Sequence, residues 1–340
     1  MGSLGESTLK YILPADHLNQ QRAVHPSHRQ LHVKPVSAPL HVVTVIFNPQ
    51  RYASRYRLYH GFEKHCLDSG AVPYTVEVAL RDRHFEVTEA ANPQHVQLRV
   101  ESELWYKENG GNVALSWLPE NWEYVGFVDA DFLFSRPDWA TETVHMLQHY
   151  DAVQMFSNLT YLDSTFQVHN QMAGFAYLHC QGEKIPQSYG HKGAVGGAWA
   201  FRRSALEKLG GLLDVCILGS GDWHMAFALA MRDDVHPEMK FQSIPQYVKA
   251  IADWRERAAD LRGNIGYVDS NAIHYWHGPL KNRGYSTRWR ILTDNSFDPY
   301  LDLGRDWQGL LRLTKHKPKL RDDIRRYFRQ RSEDALSLDV

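Results

Sequence analysis

Asp129-Ala130-Asp131 sets two carboxylates one residue apart. In extended chain, side chains at i and i+2 point the same way, so both can face one pocket. Like charges held that close are costly unless a cation sits between them or one is protonated. A hard divalent ion with oxygen ligands, Mg²⁺ or Mn²⁺, satisfies such a pair most simply. A solvated Asp pair in a loop is the plain alternative. Position favours chemistry here, because the pair directly follows an apolar run from Tyr124 to Val128 and precedes Phe132 to Phe134.

Three later segments carry further candidates. From Gly193 to Arg202, Gly196 and Gly197 permit close approach of backbone to a ligand. Trp199 in the same segment offers a flat face to a sugar ring or base, or else is the core of a buried strand. Gly219 to His224 presents Asp222 at a loop-to-helix junction, where it either caps the helix or serves as a general base. His274 and His277 stand beside Gly278-Pro279. One imidazole would complete the coordination of a metal held by Asp131, a mixed oxygen and nitrogen set that suits Mn²⁺. A hydrogen-bonded core histidine is the bland reading. Lys281, Arg283, Tyr285, Arg288 and Arg290 follow, either to grip phosphate or to line a solvated helix.

These residues need elements to position them. Residues 42–47 form a β-branched apolar run that stops at Asn48-Pro49 and predicts a buried strand. Residues 52–67 predict a helix, 72–79 and 96–100 two strands, and 103–118 a helix weakened by Gly110-Gly111. Residues 124–128 predict a strand leading into the Asp pair, and 204–209 a short helix. Strands alternating with helices predict an α/β sheet, largely parallel in its first half. In such sheets ligands bind beyond the carboxyl ends of the strands, which is where the Asp pair falls.

Composition bounds the rest. The 340 residues are 43% hydrophobic and 23% charged, with ten Trp, seventeen Tyr and fourteen Phe, which excludes general disorder. No apolar run approaches 18 residues, so a soluble, cytoplasmic protein without a spanning helix or signal segment is expected. Cys66, Cys180 and Cys216 lack any C-x-x-C pair and read as reduced thiols. Net charge is −1, but residues 311–331 hold nine Lys and Arg against Asp322 and Asp323, which leaves −8 for the remainder. Leu320, Ile324 and Phe328 recur at helical spacing, so this tail is expected to dock one face on the domain. Its cations also suit nucleic acid, anionic lipid or an acidic substrate. The expected organisation is an extended N-terminal arm (1–40), one domain (41–300) and a basic helical tail (301–340).

Taken in order, D-A-D, G-G-A-x-A-x-R, G-x-G-D-W and H-x-W-H resemble the GT-A-fold nucleotide-sugar glycosyltransferases over roughly residues 42–280. The family-2-like group is the nearest flavour. Polypeptide N-acetylgalactosaminyltransferases and β-1,4-galactosyltransferases are more distant. The resemblance implies a Rossmann-like, mixed, mostly parallel sheet flanked by helices. It implies a Mn²⁺ or Mg²⁺ ion and a nucleotide-sugar donor, a UDP-sugar first. Asp131 would ligate the metal, with His274 or His277 joining it, and Asp129 would contact the ribose or reach the metal through water. Asn48 would stand on the nucleotide side, Glu77 at the base, and Lys107 and Asn112 in the helix lining that pocket. Gly197 and Trp199 would lie by the donor sugar and acceptor, and Asp222 would serve as base.

One departure matters: the late acidic motif holds a single carboxylate, Gly221-Asp222-Trp223-His224, so stereochemistry stays open. The acceptor hydroxyl is expected on a glycan, a protein or a hydroxylated DNA base. Two other functions fit the same residues. A nucleotidyl- or phosphoryl-transfer enzyme would use the same paired carboxylates, and a non-catalytic sugar- or nucleic-acid-binding protein would keep Trp199 and the tail.

Overall fold

The computed structural model describes residues 38–183, 185, 193–232, 241–314 and 317–336. The expected N-terminal arm lies outside them apart from residues 38–40. Strand β1 (Leu40–Phe47) is buried on both faces, as a near-continuous apolar run in the middle of a parallel sheet must be. It pairs in parallel with β2 (Val72–Leu80) on one side and with β4 (Tyr124–Val128) on the other, and β3 (His95–Val100) extends the β2 edge. Beyond β4 come β9 (Ala198–Arg202), β6 (Ala152–Gln154) and β10 (Ile265–Tyr267), giving the order β10-β6-β9-β4-β1-β2-β3. Only β9 runs against the others. The result is the mixed, mostly parallel sheet flanked by helices that the resemblance implies.

Helix α1 (Ala53–Asp68) follows β1, and helix α2 (Lys107–Ala114) precedes β4. The predicted 103–118 helix is shorter in fact, ending in a 3-10 turn at Leu115–Trp117. Its two glycines are packing residues. A Cβ on Gly110 would meet Val45 Cγ1 at 2.8 Å, and one on Gly111 would meet the Phe127 ring at 3.1 Å. The helix therefore lies close on β1 and β4, which carries Lys107 to the carboxyl edge of the sheet.

A second sheet, β5-β11-β7-β8, rises from that edge: β5 (Phe132–Phe134), β7 (Asn158–Leu162), β8 (Val168–Ala173) and β11 (Asn271–His274). Residues 265–274 thus feed two sheets, β10 in the first and β11 in the second. Helix α3 (Gly221–Leu229) carries Asp222 in its first turn. The C-terminal helix α4 (Pro318–Gln330) buries Leu320, Ile324, Tyr327 and Phe328. Phe328 meets Phe47, the last residue of β1, edge to face at 5.8 Å between ring centroids. Among the described residues no helix is long and apolar enough to cross a membrane. All three cysteines are free.

Candidate active site and metal centre

Sheet register brings the site together. The carboxyl end of β4 and the start of β9 lie side by side, and Asp129 N donates to Gly197 O at 2.8 Å. After Asp131 the chain enters β5, which pairs antiparallel with β11 so that His274 sits opposite Phe132. Tyr275 N then donates to Asp131 O at 2.9 Å. The strand carrying the first histidine is thereby fixed against the second aspartate, and two residues on His277 Nδ1 lies 2.8 Å from Asp131 Oδ2. His274 Nε2 lies 3.8 Å from Asp131 Oδ1.

Asp131 Oδ1 is buried and has no hydrogen-bond partner. A buried carboxylate oxygen left bare is expensive unless something absent from the polypeptide satisfies it. One ligand atom each from Asp131, His274 and His277 falls within 4.8 Å of the others. The donor set is one carboxylate and two imidazoles, which suits Mn²⁺ or another first-row divalent ion better than Mg²⁺. Burial pushes the His274 imidazole down to about 3, and burial and then Arg283 push His277 down, so both present neutral nitrogen lone pairs at neutral pH. Burial alone would raise the Asp131 carboxyl, but the two histidines and Arg55 hold it well below the usual carboxylate range. The residues fit a divalent ion.

Asp129 has a different partner. Lys107 Nζ lies 2.7 Å from Asp129 Oδ1 and 2.8 Å from Oδ2. Burial opposes the ammonium charge, but Asp129 and then Asp222 hold it in place. Asp222 lines the same cavity, and its Oδ1 accepts from Trp223 N at 2.8 Å. A Cβ on Gly196 would overlap the Asp222 carboxylate, which explains a glycine there. All these groups line one cavity of about 360 Å³ together with Asn48, Arg55, Tyr161, Arg283, Arg288 and Glu333. That volume is in the range of small-ligand sites.

Asp129, Asp131, Lys107, Gly197, Asp222, His274, His277 and Asn48 are gathered at the cavity; three expected residues are not, or not in the expected manner. Glu77 stands apart from it. Its carboxylate accepts from Glu86 N (2.6 Å), Val87 N (3.1 Å), Thr88 N (2.9 Å) and Thr88 Oγ1 (2.6 Å), and so fixes that loop. Asn112 faces away, exchanging hydrogen bonds with Leu212 N (2.7 Å) and Leu212 O (2.9 Å). Trp199 is 7% exposed and packs in the hydrophobic core, its Nε1 donating to Val195 O at 2.8 Å. Asn48 lines the cavity, but both ends of its amide hold Tyr52, at 2.9 and 2.8 Å.

The sequence reading missed Arg55, Glu108, Glu333 and Asp334. Glu333 accepts from Arg55 Nη2 at 3.0 Å and from Arg331 Nε at 2.6 Å. Asp334 accepts from Ala53 N and Ser54 N, both at 2.8 Å, and so caps helix α1. Such pairings have no local signature. Glu108 had one in its adjacency to Lys107, and burial now pushes its carboxyl up to about 8.

The chain is similar to solved glycosyltransferases. The catalytic domain of Drosophila beta-1,4-galactosyltransferase 7, complexed with xylobiose, is 10% identical over 68% of this chain and 65% of that one, at a TM-score of 0.33. A mutant of the same enzyme, complexed with manganese, UDP-Gal and xylobiose, is 11% identical over 68% and 65%, at 0.34. Residues 1–349 of S. aureus TarS are 12% identical over 66% and 70%, also at 0.34. This chain spans about 65% of the length of the galactosyltransferase chains. No protein-family model matches the sequence, and no curated protein matches it.

Proposed function

We propose that the protein is a glycosyltransferase that moves a sugar from a nucleotide-diphosphate donor, UDP-linked in the first instance, to an acceptor hydroxyl. The observation that carries this reading is the bare Asp131 Oδ1 between His274 and His277, at the carboxyl edge of a mostly parallel sheet and facing Asp222 across one cavity. Asp131, His274 and His277 would hold a divalent ion, with Asp129 adjoining. When bound, such an ion supplies Lewis-acid neutralisation of the leaving diphosphate.

The remaining work falls to the chain itself. Transfer breaks the bond from the anomeric carbon to the diphosphate oxygen and forms one to the acceptor oxygen. Asp222 takes the acceptor's proton, a contribution of about 10²–10⁴-fold. Lys107 pins Asp129 on the donor side, and its buried charge adds to the field met by the leaving group. On the tail, Lys317, Lys319, Arg321, Arg325, Arg326 and Arg331 already pair with Asp or Glu. We therefore place a glycan or protein hydroxyl ahead of a hydroxylated DNA base as acceptor.

The test is thermal stabilisation by a panel of nucleotide sugars and nucleoside triphosphates, with and without Mn²⁺, on the native chain and on Asp131→Ala. A ligand at 100 times its Kd adds about 2.7 kcal/mol, a shift of several degrees at most. A Mn²⁺-dependent shift with one nucleotide sugar, lost in the variant, supports the reading. A response to triphosphates alone replaces it with nucleotidyl transfer.

A further inference from the structure

His274 and His277 are held in different ways. His274 closes β11 and is fixed by ladder pairing to Phe132 of β5 and Tyr161 of β7. His277 stands beyond the end of that strand, outside the ladder. It is nevertheless only 5% exposed, and its Nδ1 is brought to 2.8 Å from Asp131 Oδ2. An imidazole outside regular structure is aimed by whatever holds its own short segment, and metal-site histidines depend on such outer partners.

The segment after β11 has two sets of holds. Tyr275 N donates to Asp131 O at 2.9 Å. The other hold is the stretch after α4, residues 331–336. Trp276 Nε1 donates to Ala335 O at 2.8 Å. Gly278 has φ +91°, and a Cβ there would meet Glu333 Cα at 2.7 Å and Ser332 O at 2.9 Å. Glycine alone combines that φ with so close an approach. Both chain neighbours of His277 thus rest on the C-terminal stretch. That stretch is anchored in turn on the start of α1: Ser332 N donates to Tyr52 OH at 3.0 Å, Glu333 pairs with Arg55, and Asp334 takes the amides of Ala53 and Ser54.

We propose that residues 331–336 form a strap that positions His277 for the metal centre, so that strap docking and divalent-ion binding are coupled. The proposal rests on the reading that Asp131, His274 and His277 hold that ion. It deepens that reading by naming what aims the second imidazole. Coupling of this kind is reciprocal: a loosened strap weakens the ion, and the ion tightens the strap by the same factor. Asp334 allows the relationship to be tested at a distance, because it binds α1 and does not line the cavity.

The experiment is calorimetric titration of Mn²⁺ into the full chain, native and as Trp276→Phe or Asp334→Ala, paired with amide hydrogen exchange with and without Mn²⁺. Trp276→Phe deletes the indole donor and is expected to weaken Mn²⁺ about tenfold or more, as loss of an outer-shell partner does. Asp334→Ala releases the strap from α1 and is expected to weaken Mn²⁺ about fivefold or more, although it touches no ligand. In the native chain, saturating Mn²⁺ is expected to slow exchange at the Ser332, Ala53 and Ser54 amides about fivefold or more. Circular dichroism checks the fold of each variant. If Trp276→Phe does not fold, Asp334→Ala and the exchange of the native chain keep the test decisive.

Native Mn²⁺ affinity in the folded variants, or exchange at Ser332 indifferent to saturating Mn²⁺, overturns the strap's role and leaves the metal centre standing. Absence of Mn²⁺ binding to the native chain overturns the metal centre itself, and the strap's role with it.

Discussion

His277 Nδ1 stands 2.8 Å from one oxygen of Asp131 while the other oxygen of that carboxylate is buried with no hydrogen-bond partner. Asp131→Asn keeps the shape and removes the charge. We expect the variant to fold and to lose Mn²⁺ affinity by more than about 100-fold, beyond what outer-shell changes usually cost. Calorimetric titration of Mn²⁺ measures this, and near-native affinity would remove Asp131 from the metal centre.

Asp222→Asn should lower kcat by about 10²–10⁴-fold with little change in KM, since a proton acceptor acts in the transition state. Gly196→Ala drives a methyl group into the same carboxylate and should reproduce much of that loss. Steady-state kinetics on both variants, with unfolding midpoints as the control, distinguish a displaced base from a damaged fold.

Glu333 is 2% exposed and is shared by Arg55 and Arg331. Burial opposes its ionisation, but the two guanidiniums hold its carboxyl far below the ordinary range. The stability it contributes is therefore present above the unfolded value of about 4.3 and is lost as pH falls below that. At neutral pH, Glu333→Gln leaves buried cations uncompensated and should cost about 3–5 kcal/mol. Urea unfolding at pH 7 and at pH 4 measures both effects, and the gap between variant and native protein should narrow in acid.

Glu108 has the opposite sign. Its carboxyl is buried and stays protonated in the fold up to about 8, whereas it ionises near 4.3 when unfolded. The unfolded chain thus sheds this proton first, and stability drains away as pH rises through that window. Glu108→Gln should flatten the alkaline side of the profile. Unfolding midpoints between pH 6 and pH 9 provide the check, and an unchanged slope would refute it.

What could be read in the sequence follows from range. β1 and β4 were legible because a strand buried on both faces must be apolar without interruption, and the Asp pair could be placed because it ends one. Residue type named suitable donors at Asp129, Asp131, Asp222, His274 and His277. It did not reveal which polar groups were already spoken for. The carboxylate of Glu77 is consumed by residues 86–88 and the amide of Asn112 by Leu212, and neither partner is at a fixed spacing. Arg55 and Glu333 were invisible because an ion pair 278 residues apart has no period. Trp199 shows that a conspicuous aromatic beside glycines can simply be core.

Asp334 caps a helix that begins at Ala53, a span of 281 residues. The polypeptide emerges from the ribosome at about 5–20 residues per second. For that reason, helix α1 waits for its cap, and Arg55 for its counter-ion, until Asp334 and Glu333 have been made. Long-range closures of this kind slow folding. A nascent chain arrested before residue 333 would carry the sheet and the Asp pair but an unfinished cavity wall, so ligand binding should switch on abruptly once residues 333 and 334 are made, well after the sheet itself has formed.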